Sequence, residues 1–191
     1  MTTPKSGSWP RAEALAVAED LIILLRPACE RIEVAGSIRR RKTQVGDIEL
    51  LAISKTSPVQ MALSFDRPRL ERSHLDARVL ELIVEGILDY RLDKRGRRSY
   101  GPKNKQLIHI PSGVHVDLFS TTMDNFGMSW IVRTGPAEFN IKMMARLKAI
   151  GLQGHVNQPI QDLDGNPLPC PSEEDVFRLL GWRYLPPEER R

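Results

Sequence analysis

Two short segments of the sequence alternate polar with apolar residues, and this alternation restricts how each segment can fold. Residues 47–50 read Asp-Ile-Glu-Leu, and residues 115–118 read His-Val-Asp-Leu. Successive side chains of a β-strand point to opposite faces of the sheet, so each segment is expected to bury apolar residues on one face. Asp47, Glu49 and Asp117 then lie on the other face. If the two strands are neighbours, the three carboxylates converge on one spot.

Three carboxylates placed together repel one another, so cations are needed to offset their charge. Magnesium prefers hard oxygen ligands and commonly keeps substrate phosphates in its coordination sphere. Two such ions, roughly 3.5–4 Å apart, would activate an attacking hydroxyl and stabilise a leaving pyrophosphate. The sequence therefore predicts a site for two Mg2+ ions, which Mn2+ could replace. Its predicted catalytic residues and metal ligands are Asp47, Glu49 and Asp117.

A turn upstream of the first acidic segment supports this prediction. Gly36 and Ser37 are expected to form a tight turn whose backbone amides and hydroxyl can bind a phosphate. Arg40 supplies a cation for a triphosphate, and Gly46 lets the backbone pass close to the metal site. An isolated Asp-x-Glu is a weak signal, whereas the Gly-Ser turn at this spacing makes the combined pattern specific.

The periodicity of apolar residues predicts an α+β protein in two parts, divided near residues 120–124. Helices are expected at residues 10–26, 73–87, 125–133, 136–150 and 172–180. Strands are expected at residues 31–34, 47–53, 107–110, 114–119, 152–156 and 159–163. A flexible leader is expected at residues 1–8, and a loop at residues 54–72 in which residues 59–63 could form a helical turn.

Composition and charge narrow the class of protein. Hydrophobic residues at 41% and charged residues at 27% are typical of a soluble globular chain. No apolar run reaches the length of a membrane span, and the first residues do not form a secretory signal. Cys29 and Cys170 form neither a metal-binding nor a disulfide pattern. We therefore expect an intracellular monomer, cytoplasmic or nucleoid-associated (in a host cell if the source is viral), with no membrane partner.

Basic residues are concentrated in two segments. Residues 39–42 read Arg-Arg-Arg-Lys, and residues 91–105 contain seven basic residues and a single acid, Asp93. Contacts to phosphate dominate affinity for nucleic acids, so these segments are candidates for binding DNA. A solvated loop is an equally good interpretation of the second segment. The predicted DNA contacts are Arg39, Lys42, Arg97, Arg98, Lys103 and Lys105.

Several motifs, in this order along the chain, resemble those of the family X DNA polymerases. The Gly-Ser turn with residues 45–50 resembles the first palm motif of that family, and residues 115–117 resemble its second acidic strand. Residues 134–140 resemble its nucleotide-pocket segment, and residues 172–190 resemble its C-terminal end. The resemblance implies an α+β nucleotidyltransferase palm, a mixed sheet with flanking helices, at residues 9–123. A small α+β thumb or nucleotide-selecting subdomain would follow at residues 124–191.

The resemblance also implies an activity and a set of roles. The chain would add a dNMP from a dNTP to the 3′-hydroxyl of a DNA primer, in gap filling or repair. Asp47 and Glu49 would hold both metal ions, and Asp117 the ion beside the primer 3′-oxygen. The residues that would bind the nucleotide are Gly36, Ser37, Arg40, Gly46, Phe139, Asn140 and Arg11.

Departures from the family pattern keep other activities open. Glu49 replaces the usual Asp, and Val132 and Arg133 replace an aromatic pair that screens the sugar 2′-hydroxyl. Positions that carry charged side chains in many members are here Ala137, Ile141 and Met144. The second hypothesis is therefore a template-independent or ribonucleotide-using nucleotidyltransferase. The third is a non-catalytic module that binds nucleic acid on the same scaffold.

Overall fold

The computed structural model describes residues 7–58 and 71–191. Most of the expected leader, residues 1–6, and the expected helical turn at 59–63 lie outside the described residues. In the two described stretches, no helix is long and apolar enough to cross a membrane.

The elements before residue 124 are built around one mixed sheet. The helices are α1 (Arg11–Leu25), α2 (Gly36–Arg39) and α3 (His74–Val84). The strands are β1 (Trp9–Pro10), β2 (Cys29–Val34), β3 (Gln44–Val45), β4 (Ile48–Ser54), β5 (Thr56–Pro58), β6 (Glu71–Ser73), β7 (Leu88–Tyr90), β8 (Asn104–His109) and β9 (His115–Ser120). Strands β1 and β3 form a small ladder of their own, as do β5 and β6.

The main sheet has the strand order β2-β4-β9-β8-β7. Strands β4 and β9 are parallel, whereas the other neighbours are antiparallel. The register of the parallel pair places Ile48 opposite Val116 and Glu49 opposite Asp117. The prediction that the two acidic strands are neighbours is confirmed.

Each face of this sheet is covered by a different set of helices. On one face, α1 and α3 pack against a core that includes Ile48, Leu50, Val116 and Leu118. Burial of apolar area on this scale is the main favourable term in folding. On the other face, Leu51, Ile53 and Phe119 pack against Phe126, with Trp130 beside them. The face that carries the acids is therefore partly apolar, which simple alternation did not predict.

The elements after residue 124 form a second apolar core. They are α4 (Phe126–Thr134), α5 (Ala137–Ala149), β10 (Ile160–Gln161), β11 (Pro167–Leu168) and α6 (Glu173–Leu180). The helix α6 begins with a capping box, in which Ser172 and Asp175 exchange hydrogen bonds, close to the start expected for the helix at residues 172–180. Helix α4 packs against both the main sheet and α6, so it joins the two cores.

Some boundaries differ from the sequence expectations. Helix α3 ends at Val84 instead of residue 87, because Gly86 adopts φ +73° and Leu88 begins the unpredicted strand β7. Part of the expected loop at 54–72 is strand, since β5 pairs with β6. The expected strand at 152–156 is reduced to a single bridge between Gln153 and Gln161. Strand β11 was missed because it is only two residues long.

Candidate functional site

The centre of the candidate site is the pair Glu49 and Asp117 on the parallel strands β4 and β9. Their neighbours Ile48 and Val116 are buried on the opposite face, so the two carboxylates share the face that α4 partly covers. Asp47 lies two residues before Glu49, just ahead of β4. Its charge acts on Glu49, as does that of Asp117. The structure thus brings the three predicted acids into one neighbourhood.

The electrostatics of the site reflect this crowding. Burial, together with the charges of Asp47 and Asp117, raises the pKa of Glu49 from 4.5 to about 7, although Arg40 and Arg133 oppose the rise. Burial also raises the pKa of Asp117 above its ordinary range, against the lowering effect of nearby arginines. The ionised forms of two of the three carboxylates are therefore disfavoured mainly by burial, and a cation bound to them would favour ionisation.

Gly36 sets the distance between the Gly-Ser segment and the acids. Its φ is +64°, and a Cβ at this position would overlap the carboxylate of Glu49. The amide of Ala35 donates to the carbonyl of Glu49 at 2.8 Å, which ties the end of β2 to β4. The expected tight turn is observed as the short helix α2. Only glycine has both the backbone freedom and the small size for this contact.

Two polar atoms on α2 and its C-cap have no hydrogen-bond partner within residues 7–58 and 71–191. The buried Oγ of Ser37 and Nε of Arg40 are unpaired, while Nη1 of Arg40 donates to the carbonyl of Thr134. Buried polar atoms are nearly always satisfied in native proteins, so such orphaned atoms call for a ligand or solvent. Both belong to the segment that contacts Glu49, and they could bind an anionic group there.

The chemistry of the three acids fits a divalent cation, because carboxylate oxygens are the ligands that Mg2+ and Mn2+ prefer. In residues 7–58 and 71–191, however, no three His, Cys, Asp or Glu side chains are placed to hold a metal ion as they stand. Asp117 is instead paired with Arg91, whose Nη2 lies 2.6 Å from its Oδ1. The metal-ligand roles of Asp47, Glu49 and Asp117 stay predictions.

The other predicted nucleotide-binding residues have varied surroundings. Arg11 Nε donates to the carbonyl of Ile38 at 3.0 Å, and this hydrogen bond links α1 to α2. Asn140 Nδ2 donates to the carbonyl of Val132 at 2.8 Å, and its buried Oδ1 has no partner in the part of the chain that the structure describes. Gly46 is exposed and a Cβ there would meet open space, and its close approach to the metal site stays a prediction.

Phe139 does not present a free face for a nucleotide. It is 3% exposed and belongs to the second apolar core. Its ring centroid lies 6.1 Å from that of Phe177 and 6.0 Å from that of Trp182. In this conformation Phe139 is a packing residue, and the predicted contact would need a rearrangement of the core.

Four of the six predicted DNA contacts are exposed. They are Lys42, Arg97, Arg98 and Lys103. Arg97 pairs with Asp93 at 2.9 Å, and the guanidinium of Arg98 lies 4.1 Å from the ring centroid of Tyr90. These contacts hold the turn between β7 and β8 while the positive charge stays at the surface.

The remaining two predicted DNA contacts are not available at the surface. Lys105 is 0% exposed and its Nζ lies 2.7 Å from Asp76. On β8, Lys105 points to the same face of the sheet as Leu107, and this face packs against the core of α1 and α3. Arg39 forms a two-pronged ion pair with Glu173 and stacks 3.5 Å over the Trp130 ring. Sequence reasoning counted both as surface charge because a run of basic residues does not show which side chains are buried.

Three residues important to the site were not identified from the sequence. Arg91 was one of seven basic residues in its segment, and nothing distinguished it from the others. Arg133 lies 3.8 Å over the Phe119 ring and acts on the charges of Glu49 and Asp117, although the sequence marked it only as a departure. Glu173 carried no signal beyond its place at the start of α6.

Two comparisons relate the chain to known DNA polymerases. Residues 129–191, which run from within α4 to the end of the chain, match the family described as DNA polymerase beta thumb. The chain is also 25% identical over 169 residues to DNA polymerase lambda of Rattus norvegicus, an alignment that covers 81% of this chain. The chain spans 28% of the length of that relative. Together with a mixed sheet flanked by helices, these similarities show a chain that is like the family X DNA polymerases.

Proposed function

We propose that the chain is a metal-dependent nucleotidyltransferase that adds a dNMP from a dNTP to the 3′-hydroxyl of a DNA primer inside the cell. Gap filling during DNA repair is the proposed context. The observation that carries this proposal is the register of β4 and β9, which sets Glu49 directly opposite Asp117 with Asp47 nearby. The similarity to DNA polymerase lambda supports DNA as the acceptor.

The three acids would bind the metal ions, whereas α2 and its C-cap would bind the triphosphate. Asp47, Glu49 and Asp117 would hold two Mg2+ or Mn2+ ions, which when bound offset charge on the attacking oxygen and the departing pyrophosphate. Ser37 and Arg40 would bind the triphosphate through their unpaired Oγ and Nε atoms. Arg11 would keep α2 in position through the Ile38 carbonyl. The protein then contributes chiefly positioning and electrostatic stabilisation.

Nucleotide and DNA would be bound by different surfaces. The unpaired Oδ1 of Asn140 is an acceptor that could contact the incoming nucleotide. The exposed cations at Lys42, Arg97, Arg98 and Lys103 would contact DNA phosphates. Such contacts are electrostatic, so binding to DNA should weaken steeply as salt rises. The monomeric state stays a prediction.

Primer extension on single-nucleotide gapped DNA with Mg2+ tests this proposal. The Asp117→Ala variant should lose at least about 100-fold in rate, the scale seen when one group that stabilises transition-state charge is removed. Asp89→Ala, which removes an exposed carboxylate of β7, is the matched control and should keep its activity. Circular dichroism checks that both variants fold. Full activity in a folded Asp117→Ala variant would refute the assignment.

A second candidate is a template-independent or ribonucleotide-using transferase. It is favoured by Arg133, whose long charged side chain lies beside the acids where the family carries an aromatic residue. Rates of templated dNTP, untemplated dNTP and rNTP addition, measured in one assay, separate the two candidates. Metal binding without transfer to any of these acceptors would instead support a non-catalytic nucleic-acid-binding module.

A further inference from the structure

We propose that Arg91 is a resident cation of the acidic site, which pairs with Asp117 when no divalent ion is bound and competes with the ion for that carboxylate. This inference rests on the proposed function, because it concerns the same acids. It makes Arg91 a positioning residue that sets the affinity of the site for its metal.

The backbone places Arg91 in line with the acids. The amide of Arg91 donates to the carbonyl of Gln106 at 3.1 Å, Gln106 lies opposite Asp117, and Asp117 lies opposite Glu49. The four residues form a row across the end of β7 and the strands β8, β9 and β4. The side chain of Arg91 crosses over Gln106 and reaches Asp117, with 2.6 Å between Nη2 and Oδ1.

The pair of Arg91 and Asp117 is less exposed than a surface ion pair. The side chains of Arg91 and Asp117 are 17% and 15% exposed, whereas Arg178 in its pair with Asp175 is 75% exposed. A partly buried charge is strongly destabilised when it loses its partner, so the Asp117 carboxylate is expected to keep Arg91 in place. A guanidinium stays protonated at all accessible pH values, so this cation cannot leave by deprotonation.

The same contact opposes the binding of a metal ion. A divalent ion on Asp117 would lie close to a fixed positive charge, and the guanidinium would have to withdraw from the carboxylate. Two more arginines lie near the acids, but Arg133 stacks over Phe119 at 3.8 Å and Arg40 donates to the carbonyl of Thr134. Asp117 takes Arg91 as its partner. Arg91 is thus the cation that must be displaced first.

Titration of the purified full chain with Mn2+, without DNA or nucleotide, measures this competition through the electron paramagnetic resonance signal of free Mn2+. Arg91→Gln should bind Mn2+ about tenfold more tightly than the wild type, the factor that corresponds to one charge-assisted hydrogen bond. Arg91→Lys keeps the charge but not the planar fork, and should bind about threefold more tightly. Arg178→Gln, which removes an exposed ion pair, is the matched control and should change affinity by less than about twofold.

The outcomes separate this inference from the proposed function. Unchanged or weaker Mn2+ binding in the Arg91 variants, while the wild type binds Mn2+ through Asp117, would overturn the resident-cation role and leave the proposed function standing. Absence of Asp117-dependent Mn2+ binding in the wild type would overturn both. A structural role alone would lower the melting temperature of Arg91→Gln without changing its affinity for Mn2+.

Discussion

Substitution of Glu49 by Gln should stabilise the metal-free protein at neutral and alkaline pH. Glu49 lies against Gly36 and beside two other acids, and its pKa is raised to about 7. A carboxyl whose pKa is higher in the folded than in the unfolded state contributes to stability, and this contribution is fully present at pH values below the unfolded-state pKa of 4.5. That contribution is lost as the pH rises through about 7. Gln has nearly the same shape and never ionises, so it removes this loss.

The size of the effect follows from the shift. One pKa unit corresponds to about 1.4 kcal/mol, so ionisation of Glu49 should lower the free energy of unfolding by about 2–3 kcal/mol between about pH 5 and about pH 8. For a chain of this length that is roughly 5–10 °C in melting temperature. The pKa values of His109 and His115 are lowered by burial and add a trend of the opposite sign at acidic pH. Their contribution is common to wild type and variant, so the difference between the two proteins reports on Glu49 and on the acids whose charges are coupled to it.

Urea unfolding followed by tryptophan fluorescence in EDTA, at acidic and alkaline pH, gives the required free energies. The stability advantage of Glu49→Gln over the wild type should grow by about 2–3 kcal/mol from about pH 5 to about pH 8. Glu81→Gln, which changes a carboxylate that is 60% exposed on α3, should show no such growth. An advantage that is constant with pH, or that shrinks, would show that Glu49 is not held among unneutralised charges.

Two further predictions concern residues that hold the site together. Gly36→Ala should lower the free energy of unfolding by more than about 2 kcal/mol, because it combines a left-handed φ with a clash against Glu49. Gly86→Ala has a similar φ but meets open space, so it should lower the free energy of unfolding by only about 1 kcal/mol. Equal losses of the two variants in urea unfolding would contradict the role of the clash. Glu173→Ala should lower the free energy of unfolding by about 3–5 kcal/mol, because it leaves Arg39 and the fully buried Arg190 without their shared carboxylate. Glu174 is exposed, so Glu174→Ala should lower the free energy of unfolding by less than about 0.5 kcal/mol in the same measurement.

The acidic strands were predictable because the information is local. Alternation in residues 47–50 and 115–118 was enough to set Asp47, Glu49 and Asp117 opposite to their apolar neighbours, and two-residue periodicity has no other common explanation. Capping of α6 by Ser172 and the start of α5 after Pro136 were equally local, since each depends on residues within one helical turn.

The partners of the charged side chains were not predictable, because they depend on contacts between distant parts of the chain. Arg39 and Glu173 are separated by 134 residues, and Arg91 and Asp117 by 26. Lys105 was misassigned for the same reason, since its burial depends on the packing of α3, which carries its partner Asp76. A single sequence shows how many charges a segment has, but the fold decides which of them remain at the surface.

Adjacent arginines on α2 explain why the acidic strands and the C-terminal elements cannot act independently. Arg39 is held by Glu173 of α6, and Arg40 donates to the carbonyl of Thr134 at the end of α4. Burial opposes ionisation of Glu173, but the hydrogen bonds from Arg39 and Arg190 outweigh it and keep its pKa below the ordinary range. The segment proposed to bind the triphosphate is therefore anchored on one side by Glu49 and Gly36 and on the other by α4 and α6. A shift of the C-terminal elements would therefore move Arg39 and Arg40. The atoms proposed to bind phosphate beside the acids would move with these two residues.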